Sequence, residues 1–282
     1  MFKSLFTLLS LAVALASAFP FQGNLTHRAP AQVITKCTVP NTAALTFDDG
    51  PYVYLYDVSK ALIAAGAKGT FFFNGNNFGG CIYNEDQAKR VKYAFDKGHQ
   101  VASHTWSHAH LNALNWDQAH HDFWLIEEAL MKITGAYPAF VRPPYGEFND
   151  NIREVAGARG QTIVNWDFDS GDTWGISTAE SNQRYTDLAK SRPSTVLTLN
   201  HDVHQQTAWN LTTSYLPPLL TARRSPFYSQ VIVPHAIKTL QEAGYRLVTV
   251  AECLGMQPYQ WTAAPQARDA TWTCEDKPVI RN

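Results

Sequence analysis

The chain has 282 residues, a formal net charge of −1 and 45% hydrophobic content. That length allows one large domain or two small ones. The near-neutral balance excludes the basic footprint of a nucleic-acid binder or of a protein drawn to an anionic membrane, so neither is an expected partner. Eight Trp and twelve Tyr suit a sugar-lined cleft as well as a core.

Residues 1–18 read as a secretory signal: Lys3 precedes an apolar run from Leu5 to Leu15, and Ala16-Ser17-Ala18 fits the small-residue cleavage pattern. The run is too short to stay in a bilayer. Asn24-Leu25-Thr26 and Asn210-Leu211-Thr212 are glycosylation acceptor patterns, which agree with an exported chain. Residues 19–36 carry no pattern and read as a linker or leader. Four cysteines in an oxidising compartment point to two disulfides, with three possible pairings. Cys37 with Cys253 and Cys81 with Cys274 is favoured, because the first pair joins the opening of the main domain to its end.

Strands are expected at 43–47, 69–73, 100–103, 139–141, 161–166, 195–199 and 245–250. Helices are expected at 55–65, 85–97, 116–133, 149–158, 181–190 and 231–243, several of them stopped by glycine. Alternation of this kind argues a parallel sheet with helices outside it. No glycine-rich dinucleotide fingerprint follows the first strand. The expected fold is therefore α/β, a distorted, incomplete barrel of about seven βα units spanning 37–255, with 256–282 as a polar extension.

In such barrels chemistry sits at the C-terminal ends of strands. Here the first strand ends on Asp48-Asp49, the third on His104 with His108 just beyond, and the fourth on Arg142-Pro143-Pro144-Tyr145-Gly146. The fifth ends on Asp167 and Asp169, with Asp172 and Trp174 following, and the sixth on His201-Asp202. Neighbouring residues on an extended chain face opposite ways, so Asp48 and Asp49 can hold different partners. His104 and His108 are four apart, and with one carboxylate they make three ligands and an open position, as catalytic zinc requires. Non-haem iron or cobalt suits the same donors. His99 and His110 are expected to be structural, and His120 and His121 to lie on the surface. His204 is placed at the border of the cleft, and Asp202 is expected to order its loop.

These motifs, in this order, resemble the polysaccharide deacetylases, carbohydrate esterase family four with the NodB-homology domain, and most of all the secreted fungal chitin deacetylases. The likeness spans 37–255. It implies Asp49, His104 and His108 as ligands of one divalent ion, zinc or alternatively cobalt. It implies Asp48 as general base, Arg142 as its partner and the Tyr145 N–H as oxyanion donor. It also implies His201 as general acid, Asp169 as the carboxylate paired with it, and Leu199 and Trp174 as walls of the acetyl pocket. Thr173, standing between Asp172 and Trp174, departs from the family's pattern, in which an aromatic follows the aspartate directly.

The resemblance further implies a hydrolase that removes N-acetyl groups from chitin or chito-oligosaccharides; the chain is expected to be secreted, from its signal segment, and monomeric. O-deacetylation of acetylated xylan is the alternative with the same machinery. A non-catalytic chitin-binding protein is the alternative of another class.

Overall fold

The computed structural model describes residues 29–208 and 231–281. The signal segment and the two acceptor asparagines, Asn24 and Asn210, lie outside them. The first half of the chain runs β1 Val33–Ile34, β2 Thr42–Ala44, β3 Thr46–Asp48, α1 Leu55–Ala64, β4 Thr70–Phe73, β5 Asn76–Asn77, β6 Gly80–Cys81, α2 Glu85–Asp96, β7 Gln100–Ser103 and α3 Trp116–Thr134. The second half runs β8 Ala136–Pro138, β9 Phe140–Val141, α4 Asp150–Ala158, β10 Thr162–Val164, β11 Phe168–Asp169, α5 Thr178–Ser191, β12 Thr195–His201, α6 Ile232–Glu242, β13 Arg246–Val248, α7 Val250–Leu254 and β14 Tyr259–Thr262.

The main sheet is parallel, in the order β1-β10-β9-β7-β4-β3-β12-β2-β13, with β11 added beside β12. It is the expected βα barrel, left open because β1 and β13 do not pair. Its central strands are buried on both faces, and Phe71 stacks on Phe47 at 5.1 Å and on Phe73 at 5.9 Å. Such strands read as continuous apolar runs, the pattern a helix-covered parallel sheet requires. Three helices start where side chains satisfy their free N–H groups. Asn115 with Gln118, Ser177 with Glu180, and Thr249 with Glu252 each form a reciprocal cap. Gly135 closes α3 in the left-handed region, φ 79°.

Several expected boundaries change. The opening strand is two pieces, β2 and β3, because β12 pairs with both and the chain steps across it at Leu45. The last strand ends at Val248, since the Thr249 cap turns the chain into α7. The stretch read as linker contributes β1, whose Val33 and Ile34 register with Ile163 and Val164. The extension beyond 255 contributes β14, which pairs antiparallel with β8. Cys37 bonds Cys253 and Cys81 bonds Cys274, the pairs favoured from the sequence. No described helix is long and apolar enough to cross a membrane.

Candidate active site

The polar residues at the strand ends converge on one rim. Asp48 closes β3, and His201 closes β12 directly opposite it in register. Asp49 follows in the left-handed region, φ 70°. That turn, rather than strand alternation, is what sends the two carboxylates to different partners. Gly50 comes next, and a Cβ there would lie 2.7 Å from Asp202 Oδ1, so a larger residue would have to displace that buried carboxylate.

Arg142 is fully buried. Its Nη1 donates to Asp48 Oδ1 at 2.9 Å and to Thr46 Oγ1, while Nε and Nη2 donate to the carbonyls of Val164 and Asn165. Phe72 lies against the guanidinium at 4.3 Å. A buried cation this fully satisfied is held in one pose, and it holds Asp48 with it.

Asp49 Oδ1, His104 Nε2 and His108 Nε2 all point at one place. The carboxylate oxygen is 3.5 Å from the first imidazole and 3.1 Å from the second, and the three donors lie within 4.8 Å of one another. Oδ1 is buried and takes no hydrogen bond. His104 Nδ1 donates to the Arg142 carbonyl at 2.7 Å, which leaves the Nε2 lone pair for the shared centre. A carboxylate and two imidazoles fixed in this way fit a divalent ion with open positions for water or substrate.

The turn that carries the two imidazoles is strained. Of the six non-glycine residues with positive φ among the described residues, four belong to this site: Asp49, Thr105, His108 and Tyr145. Each costs about 1–3 kcal/mol and persists only where neighbours over-determine it. Here Asn74 donates its side-chain amide to the His104 and Thr105 carbonyls, and Asp122 Oδ2 accepts the N–H groups of Trp106 and Ser107. The motifs did not reach Asp122. Its signal in the sequence is an acidic residue on the apolar face of α3, between Ala119 and Phe123.

His201 takes a different carboxylate from the one expected. Its Nδ1 lies 2.8 Å from Asp172 Oδ1, and its backbone N–H donates to Asp172 Oδ2 at 2.7 Å. Thr207 Oγ1 donates to the same oxygen. Asp169 instead accepts the Gly171 N–H, and Asp167 accepts the Leu197 N–H. The reason is local: Asp167 and Asp169 run alongside β12, while Gly171, φ 76°, reverses the chain and brings Asp172 back to the ring. The glycine between Asp169 and Asp172 was the sequence signal for this.

Burial works against a charged His201. The hydrogen bond and charge of Asp172, with help from Asp49 and Asp48, outweigh it and raise the imidazole to about 9. Asp202 is fully buried, and neither carboxylate oxygen has a hydrogen-bond partner. Burial, then the charges of Asp49 and Asp48, push its carboxyl well above the usual range.

Tyr145 is exposed, its ring edge-on to His108 at 4.8 Å and stacked on His110 at 4.0 Å. Leu199 is buried, in register with Asp169. Trp174 is exposed and lies over the Arg184 guanidinium at 4.5 Å. His99 is structural: it is buried between Ser59 and the Gly69 N–H. His121 is exposed as expected, whereas His120 is half-buried, stacked on Trp116 at 4.6 Å. The His204 ring is 6.0 Å from that of His201.

Residues 35–164 match the polysaccharide deacetylase family. A chitin deacetylase from Pestalotiopsis sp. is 34% identical over 89% of this chain and 76% of its own length. The chain belongs to the polysaccharide deacetylases. The solved chitin deacetylase of Colletotrichum lindemuthianum superposes with a TM-score of 0.71 at 29% identity, covering 83% of this chain and 96% of that one. A family 4 carbohydrate esterase from Streptomyces lividans, in complex with acetate, superposes with a TM-score of 0.57 at 27% identity, covering 82% of this deacetylase and 100% of that chain.

Proposed function

We propose that this deacetylase removes N-acetyl groups from chitin or chito-oligosaccharides outside the cell, after cleavage of the 1–18 signal, with 37–255 as its catalytic domain. The observation that carries the hydrolase reading, and that an amide requires, is the His201–Asp172 pair. An amine departs only when protonated, and an imidazole held protonated near neutrality by a carboxylate supplies that proton. The names of the Pestalotiopsis and Colletotrichum relatives support the substrate.

Asp49, His104 and His108 would hold the divalent ion, zinc or cobalt. When bound, such an ion polarises the acyl carbonyl and lowers the pKa of a water to about 7. Asp48, fixed by Arg142, takes the proton from the attacking water. The Tyr145 N–H donates to the developing oxyanion, a contribution of about 3 kcal/mol for one such donor. His201 then protonates the leaving nitrogen. Leu199 and Trp174 border the acetyl group.

A polymer needs a surface as well as a catalytic centre. The three most exposed large apolar side chains among the described residues are Phe78, Trp174 and Tyr145, and each adjoins the site. Phe78 meets the His204 ring, Trp174 follows Asp172, and Tyr145 meets His108. Exposed aromatics in that position suit the apolar faces of sugar rings.

The likeness to the Streptomyces esterase favours O-deacetylation as the second reading. Incubating the purified protein with a chitin oligomer and with acetylated xylan, with and without chelator, separates the two. Acetate and free amine from the chitin oligomer, lost with chelator, are expected. Acetate from xylan alone would overturn the amide reading.

A further inference from the structure

The turn from His104 to His108 is braced from a part of the chain outside the family match. Cys81 anchors the C-terminal segment through Cys274. Trp272 then packs on Tyr83 at 5.8 Å, and Tyr83 packs on Trp106 at 6.1 Å. Trp106 lies inside the turn, fully buried, between the two imidazoles in sequence. Its ring sits on Gly75 so closely that a Cβ there would come within 1.8 Å of it. Arg268 donates to the Tyr83 carbonyl, and Lys132 donates to Thr271 at 3.0 Å. The Ile280 N–H donates to Ser107 Oγ at 3.0 Å, a direct tie to the turn.

We propose that the segment from Asp269 to Ile280 is a positioning element of the metal site, which holds the strained 104–108 turn in its ligating shape and so sets metal affinity. It rests on the metal reading above. The turn carries two left-handed residues, Thr105 and His108, and loses its ligand geometry if it relaxes. Asn74 and Asp122 hold it by hydrogen bonds from β4's end and from α3, and the C-terminal segment adds the Ser107 tie and the aromatic stack. The strain held at one such left-handed residue, released, corresponds to a loss of about 5- to 100-fold in metal affinity.

The test strips the full-length protein with chelator and titrates zinc against a chromophoric competitor. Trp272→Ala and the double variant Cys81→Ser/Cys274→Ser should raise the zinc Kd by about tenfold or more. Ile280→Pro, which removes one N–H donor, should raise it about threefold. Trp261→Ala, on the β14 side of the same C-terminal region, should lower the melting temperature and leave the Kd unchanged. If Trp272→Ala or the double variant fails to fold, Ile280→Pro decides. A Kd within about twofold of wild type in every folded variant would show that the segment merely stabilises the fold, and would overturn the proposal. Failure of the wild type to bind either zinc or cobalt would overturn the metal reading and the proposal together.

Discussion

Asp48 and Asp49 are adjacent, yet one meets Arg142 and the other meets two imidazoles, because the backbone turns left-handed at the second. In the proposed mechanism the base and the ligand therefore cannot exchange roles. Asp48→Asn should lower kcat by about 10²–10⁴-fold, the usual worth of a positioned base. Steady-state kinetics, with circular dichroism to confirm folding, checks this; activity near wild type would refute the assignment. For His201 the sign follows from its raised value. Its protonated form persists up to about 9, so the alkaline limb of kcat/KM should lie above the ordinary imidazole value of about 6.5. The same shift contributes stability that is fully present below about 6.5 and lost as pH rises through about 9. Asp172→Asn should move the alkaline limb to lower pH, and a pH–rate profile that does not move would remove Asp172 from this role.

At the scale of elements, α3 and α4 are joined by a buried ion pair. Glu127 is fully buried on α3 and accepts from Arg159, the residue that closes α4, and from the Tyr137 hydroxyl. Removing one partner strands the other charge. Arg159→Leu should therefore cost about 3–5 kcal/mol, read as a lower denaturation midpoint in urea. The elements themselves were legible where period and punctuation agreed: α1, α2, α3 and β7 fall within a residue or two of their expected ranges. Short pieces were not. β1, β5, β6, β8 and β14 span two to four residues each, too few to show a period, and they exist because a neighbouring strand pairs with them.

Across the whole molecule, two disulfides join residues 216 and 193 positions apart. In the chain-entropy limit each is worth about 5 kcal/mol. Reduction should lower the melting temperature sharply, measured by calorimetry with and without reductant. Chelation should abolish acetate release, and added zinc or cobalt should restore it; activity that survives thorough chelation would rule out the ion. The sequence alone determined the alternation of strands and helices and the chemistry at strand ends, because periodicity and residue type are local properties. Tertiary structure decided that Asp172 rather than Asp169 reaches His201, and that Ile280 touches the turn between the two imidazoles. Both depend on where a turn or a distant segment comes to rest in space, which no spacing along the chain encodes.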